Sequence, residues 1–244
     1  MTWWRERPMR LIQTNLREID LPLDPRKYAQ MLDEYGADVA LFNLGGIVAN
    51  YPTRLPFHYA NPRLKQDLIP ELIDQLHQRN IRLIGRFDFS KVNETIGSRH
   101  PEWLYRGLDG NPASYNGQLQ CCVNGSYQQD CSRDILKEAL GLYALDGVFF
   151  NMIGYQTTDY SGVYHGICQC ENCRRAFGAD LPRQEDTSNP VYMRYLRFCQ
   201  ETSRNLFLNI RDTIRAVRPD CAICTYTNEG VDIIRSESNS GIRR

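Results

Sequence analysis

An excess of charge of either sign is missing from this chain: 29 Lys and Arg face 29 Asp and Glu, a formal net charge of zero. Phosphate backbones are bound by basic faces, so nothing here points to a nucleic-acid partner. No apolar run approaches the roughly 18 residues of a membrane span, so no membrane partner is expected. The first ten residues, Met1 to Arg10, are basic but lack an apolar centre and a small-residue cleavage site, and do not read as a signal peptide. Low-complexity segments and internal repeats are absent. So is a disulfide pattern: the nine cysteines are an odd number, and three of them crowd together. That usage fits a reducing compartment and a metal site, and the expected location is cytoplasmic.

What is present is a series of apolar runs with helical patterns between them. The clearest run is Leu145–Met152, entered through Asp146-Gly147 and left through Asn151. Its aromatic and β-branched residues fit a strand buried on both faces, as in a parallel sheet. A polar segment rich in Tyr, Gly, Asp and Cys, Ile153–Cys173, follows it. Further strands are expected at Met9–Leu16, Val39–Leu44, Ile81–Phe89, Cys221–Tyr226 and Val231–Glu237.

The first helix is expected to start at Asp24-Pro25, to bury Tyr28, Met31, Leu32 and Tyr35, and to stop at Gly36. A second covers about Pro62–Arg79, with Leu68, Leu72 and Leu76 in one row, Ile69 and Ile73 beside it, and Asn80 as its stop. Ser126–Tyr143 and Val191–Val217 complete the set, the last with a stripe of Tyr195, Phe198, Leu206, Ile210 and Ile214. Tyr51–Asn61 and Ser90–Gly125 read as loops.

Strands alternating with helices argue an α/β fold with a parallel sheet. A doubly wound open sheet would announce a Gly-rich phosphate loop after its first strand, where this chain has Leu16-Arg17-Glu18-Ile19-Asp20. A (β/α)8 barrel instead collects polar residues at strand ends, and Asn15, Asn43, Asp88, Asn151, Glu229 and Glu237 stand there. The expectation is one barrel-type domain over residues 1–244. Six strands are counted where a barrel needs eight, so the domain is expected to be truncated and the natural protein longer. Trp3 and Trp4 would plug the barrel bottom or cover an edge.

Two constellations carry chemistry. Cys168, Cys170 and Cys173 place three thiols within six residues, which suits tetrahedral zinc. Cys121, Cys122, Cys131 or His165 could supply the fourth ligand. With four protein ligands the metal would be structural, pinning the loops after the third and fourth strands. The second constellation is the strand-end carboxylates Asp88, Glu229 and Glu237, with Arg86 on the same strand face as Asp88. Two carboxylates across a cleft are what glycoside hydrolysis requires. Loop aromatics (Tyr51, Phe57, Tyr59, Trp103, Tyr105, Tyr160 and Tyr164 among them) could pack on sugar faces, two or three of them in contact.

Tyr143–Met152 with Gly154-Tyr155-Gln156, the Cys168–Cys173 cluster with Arg174-Arg175-Ala176-Phe177, and Glu229–Asn239 resemble the family called hypothetical glycosyl hydrolase 6. The resemblance implies a barrel of glycosidase type. A more distant likeness is to the zinc-containing beta-galactosidases, whose ligands are a Cys-x-Cys-x-x-Cys cluster and a lone Cys in a Cys-x-Asn context. That likeness implies Cys122, ahead of Asn124, as the fourth ligand beside Cys168, Cys170 and Cys173. Those enzymes close strand four with Asn-Glu, the Glu being the acid/base; here Asn151 matches and Met152 stands in the Glu position. The strand-four motif also resembles that of the alpha-L-fucosidases, with Asn151 where they carry an Asp nucleophile.

The expected function is hydrolysis of O-glycosidic bonds of a carbohydrate, with a structural zinc. Asp88, Glu229 and Glu237 are the catalytic candidates, and Asn43, His58, Arg86, Asn151 and Tyr155 the substrate contacts. The departures at Asn151 and Met152 motivate one alternative, a non-catalytic carbohydrate-binding barrel, and the missing strands motivate another, an inactive barrel fragment. The expected partner is a carbohydrate substrate, and a homo-oligomer is compatible with the sequence.

Overall fold

A computed structural model of the chain describes residues 3–21, 23–152 and 154–225. In chain order its elements are β1 (Leu11–Thr14), α1 (Pro25–Glu34), β2 (Val39–Gly46), α2 (Ile69–His77), β3 (Arg82–Asp88), β4 (Lys91–Asn93), α3 (Glu94–Gly97), β5 (Ser114–Tyr115), β6 (Gln118–Gln120), α4 (Ser132–Leu142), β7 (Gly147–Asn151), α5 (Glu171–Phe177), α6 (Pro190–Val217) and β8 (Ala222–Thr225). They fall into two compact units. The first holds residues up to Asp88 with 134–151 and 211–225; the second holds 89–133 and 152–210 of the described chain. The sixth expected strand, Val231–Glu237, lies outside the described residues.

The first unit is a parallel sheet of five strands in the order β1-β2-β3-β7-β8. Each new strand adds to the same edge. Right-handed crossovers repeated in one direction keep every connecting helix on one face. A doubly wound sheet reverses its order at a switch point, and this one does not. The order is that of a (β/α)8 barrel, five of whose strands are described here.

The two faces differ accordingly. Tyr28 of α1 meets Phe42 of β2 edge-on at 6.0 Å, so the face carrying Phe42 is the helix-covered one. On the opposite, inward face Val39, Leu41 and Ile84 form a buried cluster, with Trp3, Met9, Phe149 and Cys224 packed on it. Trp3 also lies under the Arg82 guanidinium, 4.8 Å from its ring, at the amino end of β3. That is where a plug for the barrel bottom belongs.

Several expectations change in detail. Asp24 caps α1 by accepting from the N–H groups of Arg26 and Lys27. The buried face of α1 is Pro25, Tyr28, Ala29 and Leu32, whereas Met31 and Tyr35 are exposed. Met31 falls about 120° from the middle of that face, at about 100° per residue, and Tyr35 sits past the last helical residue. Helix α2 begins at Ile69, seven residues later than expected. Pro70 would break a helix interior but is tolerated in the first turn, and Asp67 accepts from Ile69 N at 3.1 Å to close that end.

The segment Ser90–Gly125 is not only loop. It holds a small antiparallel sheet, β4-β6-β5, in the second unit. Asn116 and Gly117, with φ of 49° and 72°, form the two-residue turn between β5 and β6. Asn-Gly favours that hairpin because both turn positions need positive φ.

Gly46, the last residue of β2, has φ 96°, and a Cβ there would meet the Asp88 carbonyl oxygen at 2.1 Å. Only glycine lets the two strands approach so closely. Gly46→Ala is expected to destabilise the chain by about 2–4 kcal/mol, measured by urea unfolding. An unchanged midpoint would contradict this packing.

Candidate functional site

The inward face that begins with Val39, Leu41 and Ile84 ends in polar residues. Alternation along each strand carries Asn43, Arg86, Asp88 and Asn151 onto it, at the carboxyl end of the sheet. The register pairs Asn43 with Arg86 and Asp88 with Asn151. Arg86 donates through Nη1 to Asn43 Oδ1 at 3.1 Å, and Asn151 donates through Nδ2 to Asp88 Oδ2 at 2.7 Å. Asn43 is itself held, donating to the Leu16 carbonyl at 2.6 Å and accepting from Asn50 at its backbone oxygen at 2.8 Å. Arg86 Nε is buried with no partner among the described residues. Four of the expected site residues therefore stand in one row. Met152, next after Asn151, has φ 51°, a left-handed conformation that costs a non-glycine residue about 1 kcal/mol or more. Glu229 and Glu237 lie outside the described residues.

His58 stands one step behind the row. Its Nε2 accepts from the Gly46 N–H at 3.2 Å, and Gly46 is the residue packed on the Asp88 backbone. The proton is then on Nδ1, which is buried and has no partner among the described residues. The ring meets Tyr51 edge-on at 5.8 Å. Burial pushes the imidazole down to about 4 from an ordinary 6.5. The unfolded chain therefore takes up a proton that the folded chain refuses. Stability from this group is complete above about pH 6.5, falls as pH drops, and levels off near pH 4, by about 3 kcal/mol in all. Urea unfolding between pH 7 and 4 should show that slope in the wild type and lose it in His58→Gln.

The second constellation lies in the second unit. The sulfurs of Cys122, Cys168, Cys170 and Cys173, all buried, are within 4.8 Å of one another. The segment Trp103–Arg106 brings them together. Its Trp103 carbonyl accepts from Cys122 N at 2.8 Å, and its Arg106 carbonyl accepts from Gln169 N at 2.8 Å. Cys121 and Cys122 sit side by side on extended chain, so their side chains point apart, and Cys121 is outside the cluster. His165 is engaged with Asp159 through Nε2 at 2.9 Å. Of the four residues open as fourth ligand, the fold selects Cys122.

Four thiols so close cannot all ionise without a counter-charge. Donating to Cys168, Cys170 and Cys173 holds Cys122 well above the thiol range. Accepting from Cys122 and its neighbours pushes Cys170 down instead. A soft divalent cation would supply the missing charge to a set of four sulfurs.

Tyr155 belongs to this unit and is buried, its hydroxyl between Asn124 Nδ2 at 2.7 Å and Thr202 Oγ1 at 2.8 Å. Among the loop aromatics Tyr51, Trp103 and Tyr105 are also buried, whereas Tyr160 and Tyr164 are exposed. Asn124, which enters the sequence reading only as the context of Cys122, donates from its side chain to Tyr155 and to Cys173 Sγ at 3.3 Å. At the amino end of the first unit's sheet are two clefts, of about 310 and 540 Å³, lined in part by Trp3, Arg82, His77 and Asp146. There Asp146 accepts from Arg82 at 2.7 Å and from the Leu83 N–H at 2.9 Å, and contacts His77 at 2.7 Å. Those charges are occupied with one another, as suits the stability face of a barrel. No described helix is long and apolar enough to cross a membrane.

No curated protein sequence matches the chain. Its fold is similar to that of several solved structures. One is alpha-L-fucosidase isoenzyme 2 from Paenibacillus thiaminolyticus, with a TM-score of 0.65, 20% identity, and coverage of 89% of this chain and 32% of that one. Another is the beta-galactosidase from the psychrophilic Marinomonas ef1, at 0.64 and 14%, covering 89% and 37%. A third is a hypothetical protein from Ruminiclostridium thermocellum, at 0.57 and 11%, covering 89% and 97%. The chain thus spans about a third of the length of the fucosidase and galactosidase chains. These likenesses extend to the fold. The family is given by a sequence model that matches residues 24–152, just over half of the chain, from the cap of α1 to the end of β7: the chain belongs to the family described as hypothetical glycosyl hydrolase 6.

Proposed function

We propose that this chain carries out O-glycoside hydrolysis at the carboxyl end of its parallel sheet. The observation that supports it best is the row Asn43–Arg86–Asp88–Asn151, polar groups on the inward face where barrels keep their chemistry. Asp88 is the proton-transferring carboxylate, donating to the oxygen of the scissile bond or accepting from the attacking water. Asn151 orients it through the Nδ2–H on Oδ2. Arg86 and Asn43 hold sugar hydroxyls, and His58 fixes Gly46 beneath Asp88. Glycoside hydrolysis needs a second carboxylate, for which Glu229 and Glu237 are the candidates. A panel of aryl glycosides, followed by release of the phenol, tests this; turnover of at least one sugar is expected.

The four-cysteine cluster is read as a structural zinc centre held by Cys122, Cys168, Cys170 and Cys173. Four sulfurs leave no open position on a tetrahedral ion, so zinc would supply charge and cross-linking, not chemistry. Thiols kept reduced for a metal favour a cytoplasmic setting. Asn151 and Met152, which stand where related enzymes carry carboxylates, favour as the second reading a barrel that binds carbohydrate without cleaving it.

A further inference from the structure

The thiol cluster receives hydrogen-bond donors from Asn124. Its backbone N–H lies 3.3 Å from Cys122 Sγ, and its side-chain Nδ2 lies 3.3 Å from Cys173 Sγ. The same Nδ2 is 2.7 Å from Tyr155 Oη, which is 2.8 Å from Thr202 Oγ1. Counting protons gives this chain a direction. Thr202 Oγ1 donates to the Phe198 carbonyl at 2.9 Å, within its own helix α6. Its one proton is then used, so Tyr155 donates to Thr202. Tyr155 Oη accepts one of the two amide protons of Asn124. The other amide proton is directed at Cys173 Sγ, which has to offer a lone pair.

We infer that Asn124 is a positioning residue of the metal centre, whose two N–H···S bonds hold Cys122 and Cys173 as ligating thiolates, with Tyr155 and Thr202 fixing its amide in the orientation that allows this. The inference rests on the zinc reading above. Four thiolates around a divalent cation carry a net charge of about −2, and burying that charge is costly unless donors face the sulfurs. Outer-shell partners of this kind typically contribute about 10–100-fold to metal affinity. Asn124 supplies two such donors from one residue, and α6 anchors the amide through Thr202.

The test uses the full chain and cobalt(II) as the probe, read by competition with a chromophoric chelator and by the thiolate-to-cobalt charge-transfer band. Asn124→Leu keeps the size and removes the side-chain donor. Affinity is expected to fall about 10–100-fold and the band to shift. Tyr155→Phe frees the amide without removing it, and a smaller fall is expected. It also serves as the deciding variant should Asn124→Leu not fold. Wild-type affinity and an unmoved band in the folded variants would overturn the role of Asn124. A wild-type chain that binds no cobalt would overturn the metal centre itself, a separate outcome.

Discussion

Adding a zinc chelator, or replacing Cys122 by Ser, is expected to lower the melting temperature by about 8–16 °C. Cys122 and Cys173 are separated by 51 residues, yet their sulfurs are 3.3 Å apart. Between them the chain forms α4 and β7, which belong to the first unit, so the second unit is made of separate stretches. A ligand present at about a thousand times its dissociation constant contributes about 4 kcal/mol of stability, lost when the site is dismantled. In a chain of this size each kcal/mol shifts the midpoint by about 2–4 °C. The metal-free cluster also leaves buried thiols facing one another with no cation to share. Thermal unfolding with and without a zinc chelator, alongside Cys122→Ser, checks this. Superimposable melts would mean that the four sulfurs converge without a metal.

Asp88→Asn is expected to cut glycoside turnover by about 10²–10⁴-fold, the usual contribution of a positioned proton-transfer group. The substitution keeps shape and volume and removes only the ability to hold a proton at that oxygen. Asp88 is 6% exposed and receives Asn151 Nδ2 at 2.7 Å, so its carboxyl group is fixed, not swinging in solvent. Because the amide can rotate to keep an acceptor toward Asn151, the fold should be retained, and the melting temperature is the control. Activity unchanged to within a few-fold would remove Asp88 from the chemistry and shift attention to Glu229 and Glu237.

Most of the barrel was legible because its strands are written as continuous apolar runs, the mark of parallel sheet buried on both faces. The runs around Val39, Ile84 and Val148 became β2, β3 and β7, and the polar residues that end them became the row at the carboxyl end. Local chemistry against the period was harder to see. Pro70 moved the start of α2, because a missing N–H outweighs an apolar stripe. The hairpin at Asn116-Gly117 was signalled by its turn alone, with strands too short to show alternation. The four-cysteine cluster was half legible. Cys168, Cys170 and Cys173 declare themselves by spacing, whereas the choice of Cys122 over its neighbour depends on which way an extended segment points. The wiring of Asn124 to Tyr155 and Thr202 joins residues up to 78 positions apart, which no local pattern encodes.

The most direct test follows one sample of the wild-type protein with an oligosaccharide panel by NMR, recording ligand broadening and product signals together. At least one sugar is expected both to bind and to appear as a hydrolysed product, with the product signal lost in Asp88→Asn while binding persists. Sugar binding with no product from the wild type would contradict hydrolysis and leave a carbohydrate-binding barrel.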